Sequence, residues 1–244
     1  MDEIEKITIK IRNTTNPQEI NNILIEISKK PNIKLLAIID YLLDSLPITM
    51  LEKVKLNLIF LLGGIGNMSV LNQKYLNFLI ENYYNSDRWV RNEIIQAFLQ
   101  ILQYHEYNNE ILEILKYALN EDYTPIKKGA LNALMLFKGL PKIDLKTLLK
   151  VLDSDNSEIV EKGIIILKKY IQNGNDLFGL LNTSKNYTIL CKSIIRNLII
   201  AYFDSIDELE SFREKINSSK WEDNYKYLCN TEITSFKNIF MKKG

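Results

Sequence analysis

The sequence predicts an all-α chain built from helical pairs stacked one on the next, and three observations carry that prediction. One grammar recurs. Asp87-Arg88-Trp89-Val90-Arg91 is followed by a helical apolar run. Asp122-Tyr123-Thr124-Pro125-Ile126-Lys127 and Asp155-Asn156-Ser157-Glu158-Ile159-Val160-Glu161 then open two further copies. Aligning Val90, Ile126 and Val160 gives steps of 36 and 34 residues, within the range that marks solenoid arrays. Second, 244 residues contain only nine glycines and five prolines among many Leu, Ile, Lys and Asn, which favours helices with short punctuation. Third, no stretch alternates apolar and polar residues for long enough to make a strand.

Taken in order, the first thirty residues read as two short helices. Thr15-Asn16-Pro17 breaks them, with Asn16 or Thr15 as cap and Pro17 in the first turn. Ile20, Ile23, Leu24 and Ile27 fall at helical spacing, and Pro31 stops the run. Leu35 to Leu46 is the next helix, closed by Pro47. Thr49 is expected to cap a helix striped by Val54, Leu58, Leu61 and Leu62 and ending at Gly63-Gly64, with Leu51 in the place of Val90. Helical pairs then follow at 71–84 with 88–103, 109–119 with 125–137, 144–152 with 157–172, and 176–181 with 188–203. Gly139-Leu140-Pro141 and Asn173-Gly174 serve as exits, and Leu190 matches Val160. Ser205 caps an amphipathic helix to Ile216, and Trp221 to Phe240 is the last helical segment. The expected organisation is a single domain over 1–244: N-terminal helices over 1–47, repeats over 48–203 and capping helices over 204–244.

Composition narrows the function classes. A formal net charge of +1 gives no global attraction to nucleic acid. Two cysteines, Cys191 and Cys229, make no disulfide framework. The acidic start Met1-Asp2-Glu3 lacks the form of a signal peptide, and no apolar run approaches the length that spans a membrane. A cytoplasmic location without membrane insertion is the expectation.

The grammar resembles the HEAT-repeat family in its broad, armadillo-like sense, including its short-repeat variety. Asp87, Val90, Arg91, Ile94, Ala97 and Phe98 carry the likeness, and Asp122, Ile126, Lys127, Ala130, Ala133 and Leu134 match them. The third copy keeps Asp155 and Val160 but has Glu161 where a base is expected, and the fourth has Cys191 there. The resemblance implies a right-handed α–α superhelix, a HEAT-like solenoid of about five to six helical hairpins. It also implies an Asp and Arg that bond along the stack. The tetratricopeptide alternative lacks its Trp-Leu-Gly-Tyr pattern here. The likeness covers roughly 48–203 and implies a fold class, not an activity.

Laying the second helices of the pairs over one another gives the candidate site. Two positions after the aligned aliphatic residue stand Lys53, Asn92, Lys128, Lys162 and Lys192; four further on stand Asn57, Gln96, Asn132, Ile166 and Arg196. Residues four apart share a helix face, so these form a polar, partly basic stripe. In HEAT-like proteins such a stripe lies on the concave surface where partners bind. An acidic protein segment is the expected occupant and a phosphate backbone the second; a face that is simply solvated is the competing reading. Trp89 between Arg88 and Arg91 is either an exposed binding anchor or packing between repeats. The partner-binding set is therefore Lys53, Asn57, Trp89, Asn92, Gln96, Lys128, Asn132, Lys162, Lys192 and Arg196.

No catalytic residue, metal site or cofactor is expected. His105 is the only histidine, which excludes an H-E-x-x-H site and the paired histidines of HEAT-like hydroxylases. The cysteines lack metal or redox spacing, and Cys191 reads as part of an apolar helical stripe. Gly63-Gly64-Ile65-Gly66 lacks the third glycine and the preceding strand of a dinucleotide loop. The Glu158/Glu161 and Glu208/Glu210 pairs lie on polar helix faces. The leading function is a non-enzymatic interaction scaffold or adaptor that binds a protein in a polar groove. The alternative is a nucleic-acid-binding protein of the DNA-alkylation-repair type, echoed by Asp87 and Trp89. An accessory enzyme of the phycobilin-lyase kind ranks last.

Overall fold

Helix capping by Asn, Asp and Ser sets the starts of five α-helices among the described residues. The computed structural model describes residues 3–104, 109–137, 145–171 and 174–240, and among them it has fourteen α-helices, two 3-10 segments and no strand. The chain divides into two compact units, Met1–Phe137 and Lys138–Gly244.

The first unit contains α1 (Glu3–Arg12), α2 (Pro17–Ser28), a 3-10 turn (Ile33–Leu35), α3 (Leu36–Ser45), α4 (Ile48–Gly66), α5 (Gln73–Tyr84), α6 (Arg88–Ile101), α7 (Asn109–Ala118) and α8 (Thr124–Leu136). Asn16 accepts from the Gln18 N–H with Pro17 in the first turn of α2. Asn72 accepts from the Lys74 N–H, and Asp87 accepts from both Trp89 and Val90 at 2.9 and 3.0 Å. Each cap satisfies backbone donors that the first turn leaves without a partner. The helices α2, α4, α6 and α8 pack consecutively in one layer, with α1 against α3 and α5 against α7. The N-terminal pair α1–α2 is thus built like the pairs that follow it.

The second unit contains α9 (Leu145–Val151), α10 (Ser157–Tyr170), α11 (Gly174–Asn182), a 3-10 segment (Thr183–Ile189), α12 (Lys192–Tyr202), α13 (Ile206–Ser218) and α14 (Asp223–Phe240). Here α10, α12 and α14 make one layer and α11 packs on α13. The C-terminal segment is again a pair of the same build. The Thr231, Thr234 and Ser235 hydroxyls of α14 are exposed and donate to carbonyls one turn back. Trp221 locks this end, stacking on Tyr187 at 4.4 Å and donating from Nε1 to Asn182 Oδ1 at 3.1 Å.

Three local expectations need correction. Thr49 does not cap α4; it lies in the first turn, and Pro47 stands at the cap position without a side-chain bond. Nor does α4 stop at Gly63-Gly64, since it runs on to Gly66. These glycines permit close approach rather than a turn. A Cβ on Gly63 would stand 3.0 Å from the Ala97 Cα of α6, and one on Gly66 would overlap the Ile101 side chain. The stretch is therefore helix packed on helix, with no loop to cradle a phosphate. Finally, α12 begins at Lys192 rather than Thr188. Ser184 and Lys185 adopt left-handed φ values of 51° and 52°, a conformation that no helix continues through.

Cys191 consequently takes the cap position of α12 and is not in an apolar stripe; its Sγ donates to Asp153 Oδ1 at 3.1 Å. Cys229 is buried, and burial pushes its thiol up to about 12. His105, the Gly139-Leu140-Pro141 exit and Asn173 lie outside the described residues.

Candidate interaction surface

The caps fix which residues of the layer-forming helices are equivalent. Counting from Asp87, Tyr123, Asn156 and Cys191, the third, seventh and eleventh residues are Val90, Ile94 and Phe98; Ile126, Ala130 and Leu134; Ile159, Gly163 and Leu167; and Ile194, Leu198 and Tyr202. All twelve are buried. The equivalents of Val90 are thus Ile159 and Ile194, one residue before Val160 and four after Leu190. The slip arises because Ile159 and Val160 are both apolar and both buried, so hydrophobicity alone cannot choose between them.

In this register Asn92 and Lys128 occupy equivalent places, as do Gln96 and Asn132 one turn on. The same two places hold Glu52 and Leu56 in α4, Glu161 and Ile165 in α10, and Arg196 and Ile200 in α12. Lys53, Asn57, Lys162 and Lys192 stand at other positions around their helices.

In the first unit the residues come together around α6. Gln96 reaches α8, where its Nε2 would be 2.8 Å from a Cβ on Gly129, and Gln100 reaches α4 beside Gly63. Asn57 donates to Asn21 Oδ1 at 2.7 Å, and Asn21 donates to the Lys53 carbonyl at 3.0 Å, which ties α2 to α4. Asn57 is thereby given a structural task. Lys53 is exposed, Lys128 and Asn132 are half-buried, and the Asn92 Oδ1 is buried without a hydrogen-bond partner.

Trp89 is 57% exposed. Its ring meets Tyr123 edge-on at 5.8 Å, and the Arg88 guanidinium lies 5.1 Å from the Trp89 ring and 5.4 Å from Tyr123. The result is a surface platform of two aromatic rings and a cation. Of the two readings of Trp89, the structure shows exposure combined with an edge contact to the next pair.

A polar chain with little trace in the sequence pattern links α4, α6 and the residues before α8. Lys55, buried in α4, donates to Glu52 Oε2 at 2.5 Å and to Ser86 Oγ at 3.0 Å. The Ser86 carbonyl accepts from Arg91 Nη1 at 2.7 Å. Arg91 then forks onto Glu121, with Nε 2.8 Å from Oε1 and Nη2 donating to Oε2 at 3.0 Å. Tyr83 donates to Glu121 Oε1 at 3.3 Å, and burial followed by that carboxylate raises its hydroxyl. Asp87 therefore caps its own helix, and Arg91 bonds along the stack to Glu121 instead of to an Asp. The signals were slight: a lysine inside an apolar run, and a second acid beside Asp122.

In the second unit the predicted cations are mostly engaged. Lys162 lies 2.6 Å from Glu158. Arg196 donates from Nε to Glu232 Oε2 at 2.5 Å, and Glu232 is buried under it on α14. Lys192 is exposed at the start of α12. Among the described residues no group of three His, Cys, Asp or Glu side chains could hold a metal ion, and no helix is long and apolar enough to cross a membrane.

No protein-family model and no curated protein matches the chain. Among solved structures, an engineered protein is similar with a TM-score of 0.50 at 18% identity, over 96% of this chain and 98% of its own. A designed armadillo repeat protein, solved with the peptide (KR)4, is similar at 16% identity and TM-score 0.49, over 95% of this chain and 100% of its own. A second engineered protein gives 17% and 0.48, over 98% and 100%. Likeness at this level of identity concerns the fold alone. The fold is all-α, a stack of helical pairs.

Proposed function

We propose that this chain is a HEAT-like protein of the short-repeat variety that acts as a non-enzymatic scaffold. It takes a protein partner on the face formed by α4, α6 and α8 of the first unit. The observation that carries this reading is Trp89: a large apolar ring more than half exposed, held by the Asp87 cap and braced by Arg88 and Tyr123. Burying such a ring against a partner is strongly favourable, and Trp and Arg are enriched among residues that dominate binding. Gln96, Asn132 and Lys128 continue the face with polar groups, and the Asn92 Oδ1 lacks a partner. Arg88 and Lys128 supply the positive charge that favours an acidic segment. The nucleic-acid alternative is not favoured. It requires many phosphate-facing cations, whereas Lys162 and Arg196 are bound to Glu158 and Glu232.

The test is affinity purification of the wild type beside the Trp89→Ala/Lys128→Glu double variant, each checked for helix content. A protein partner retained by the wild type and lost from the variant supports the reading. The same proteins with both forms would sink it, and nuclease-sensitive DNA or RNA would move the assignment to the alternative.

A further inference from the structure

The ends of α5 and α7 carry a second aromatic surface that the interaction face above does not use. Tyr83, Tyr84 and Tyr117 meet edge-to-face, with ring centroids 5.7, 6.2 and 5.9 Å apart. Tyr83 is fully buried and anchored to Glu121, whereas Tyr84 and Tyr117 are 54% and 55% exposed. The outer two rings are thus held from behind and open in front.

The surroundings of these rings favour positive charge in three ways. Tyr84 is the last residue of α5 and Tyr117 the penultimate residue of α7, so both rings sit at helix C-termini, where unpaired carbonyls leave partial negative charge. Glu81, one turn before Tyr84, is exposed, whereas Glu113, one turn before Tyr117, is already paired with Lys116 and adds little net charge. Burial and then the Glu113 charge raise the Tyr84 hydroxyl. The cations nearby are committed elsewhere, Lys116 to Glu113 at 2.6 Å and Arg91 to Glu121. Among the described residues no cation lies over Tyr84 or Tyr117, in contrast to Trp89 and Tyr123, which share Arg88. A ring face attracts a cation within about 6 Å of its centroid.

We propose that the Tyr84–Tyr117 pair is a docking site for an arginine or lysine side chain from a basic protein segment. It is carried by α5 and α7 rather than by the layer that bears Trp89. The site takes a charge opposite to that of the occupant expected on the α4–α6–α8 face, so the first unit presents two surfaces of different preference.

The experiment is a fluorescence-anisotropy titration of the full chain with three labelled glycine-spaced peptides, alike except for two positions that hold arginine, citrulline or glutamate. The arginine peptide binds, and citrulline, which keeps the shape without the charge, weakens binding about tenfold. Tyr84→Leu/Tyr117→Leu weakens it to the same degree, Tyr84→Phe/Tyr117→Phe keeps it within about twofold, and Trp89→Ala leaves it unchanged. The proposal is overturned if the arginine peptide does not bind, or if citrulline or glutamate binds as well as arginine. It is also overturned if the leucine variant binds like the wild type; loss of binding in Trp89→Ala would then place the peptide on the Trp89 platform. The peptide comparison uses unaltered protein, so the test stands even if the leucine variant folds poorly.

Discussion

Replacing Gly129 with alanine sets two effects of comparable size against each other. In a helix interior alanine is favoured over glycine by about 1 kcal/mol. At Gly129, however, the new Cβ would lie 2.6 Å from Ile95 Cγ2 and 2.8 Å from Gln96 Nε2, roughly 1 Å inside normal carbon contact. The Gln96 tip can swing away. Ile95 cannot do so easily, because it is fully buried and β-branched. Relief requires an unfavourable rotamer or a separation of α6 from α8, at about 1–3 kcal/mol. The packing term wins, and Gly129→Ala should destabilise the first unit by about 1 kcal/mol. Gly179 in α11 is the internal control, since a Cβ there meets nothing within 4 Å. Gly179→Ala should stabilise the second unit by up to about 1 kcal/mol. Urea unfolding followed by far-UV circular dichroism reads both as opposite shifts of midpoint at constant slope. If Gly129→Ala gains as much as Gly179→Ala, then α6 and α8 do not approach as closely as described and the reasoning fails.

Other perturbations test the polar chain, the two tryptophans and the Tyr75 hydroxyl. Glu121→Ala strips the fork from Arg91 and the acceptor from Tyr83, with side chains only 12% and 25% exposed at the acid and the base. A loss of about 1–3 kcal/mol is expected in urea unfolding, and no loss would mean the chain is idle. Trp89→Ala should change stability by less than about 1 kcal/mol, whereas Trp221→Ala, at 3% exposure, should remove about 3–5 kcal/mol. In the same pair, acrylamide quenching should be lost mainly with Trp89; quenching that survives its replacement would contradict its exposure. Tyr75 rises from its ordinary value of 10.0 to about 12, through burial first and its bond to Asp40 second. Because the folded value is the higher one, its contribution is complete below pH 10 and is lost as pH rises towards about 12. Urea midpoints should therefore fall over that interval, and Tyr75→Phe should flatten part of the decline.

The sequence by itself determined the helices and their order. Periodic apolar residues and cap residues such as Asn16 and Ser205 act through contacts within a few positions, so their effect can be read along the chain. It also determined the buried column of the two best copies, Val90 to Phe98 and Ile126 to Leu134. Only the tertiary structure decided the register of α10 and α12, because Ile159 and Val160 offer equal hydrophobicity and the break at Ser184 and Lys185 depends on backbone conformation. Only the tertiary structure showed that Arg196 is bound to Glu232, 36 residues away, and that Asn57 is bound to Asn21, also 36 residues away. The same holds for Trp89 standing out while Trp221 is buried, and for Tyr84 meeting Tyr117. The physical reason is that charge pairing and exposure belong to neighbours brought together by stacking, and a one-dimensional pattern carries no record of which side chain the next helix will meet.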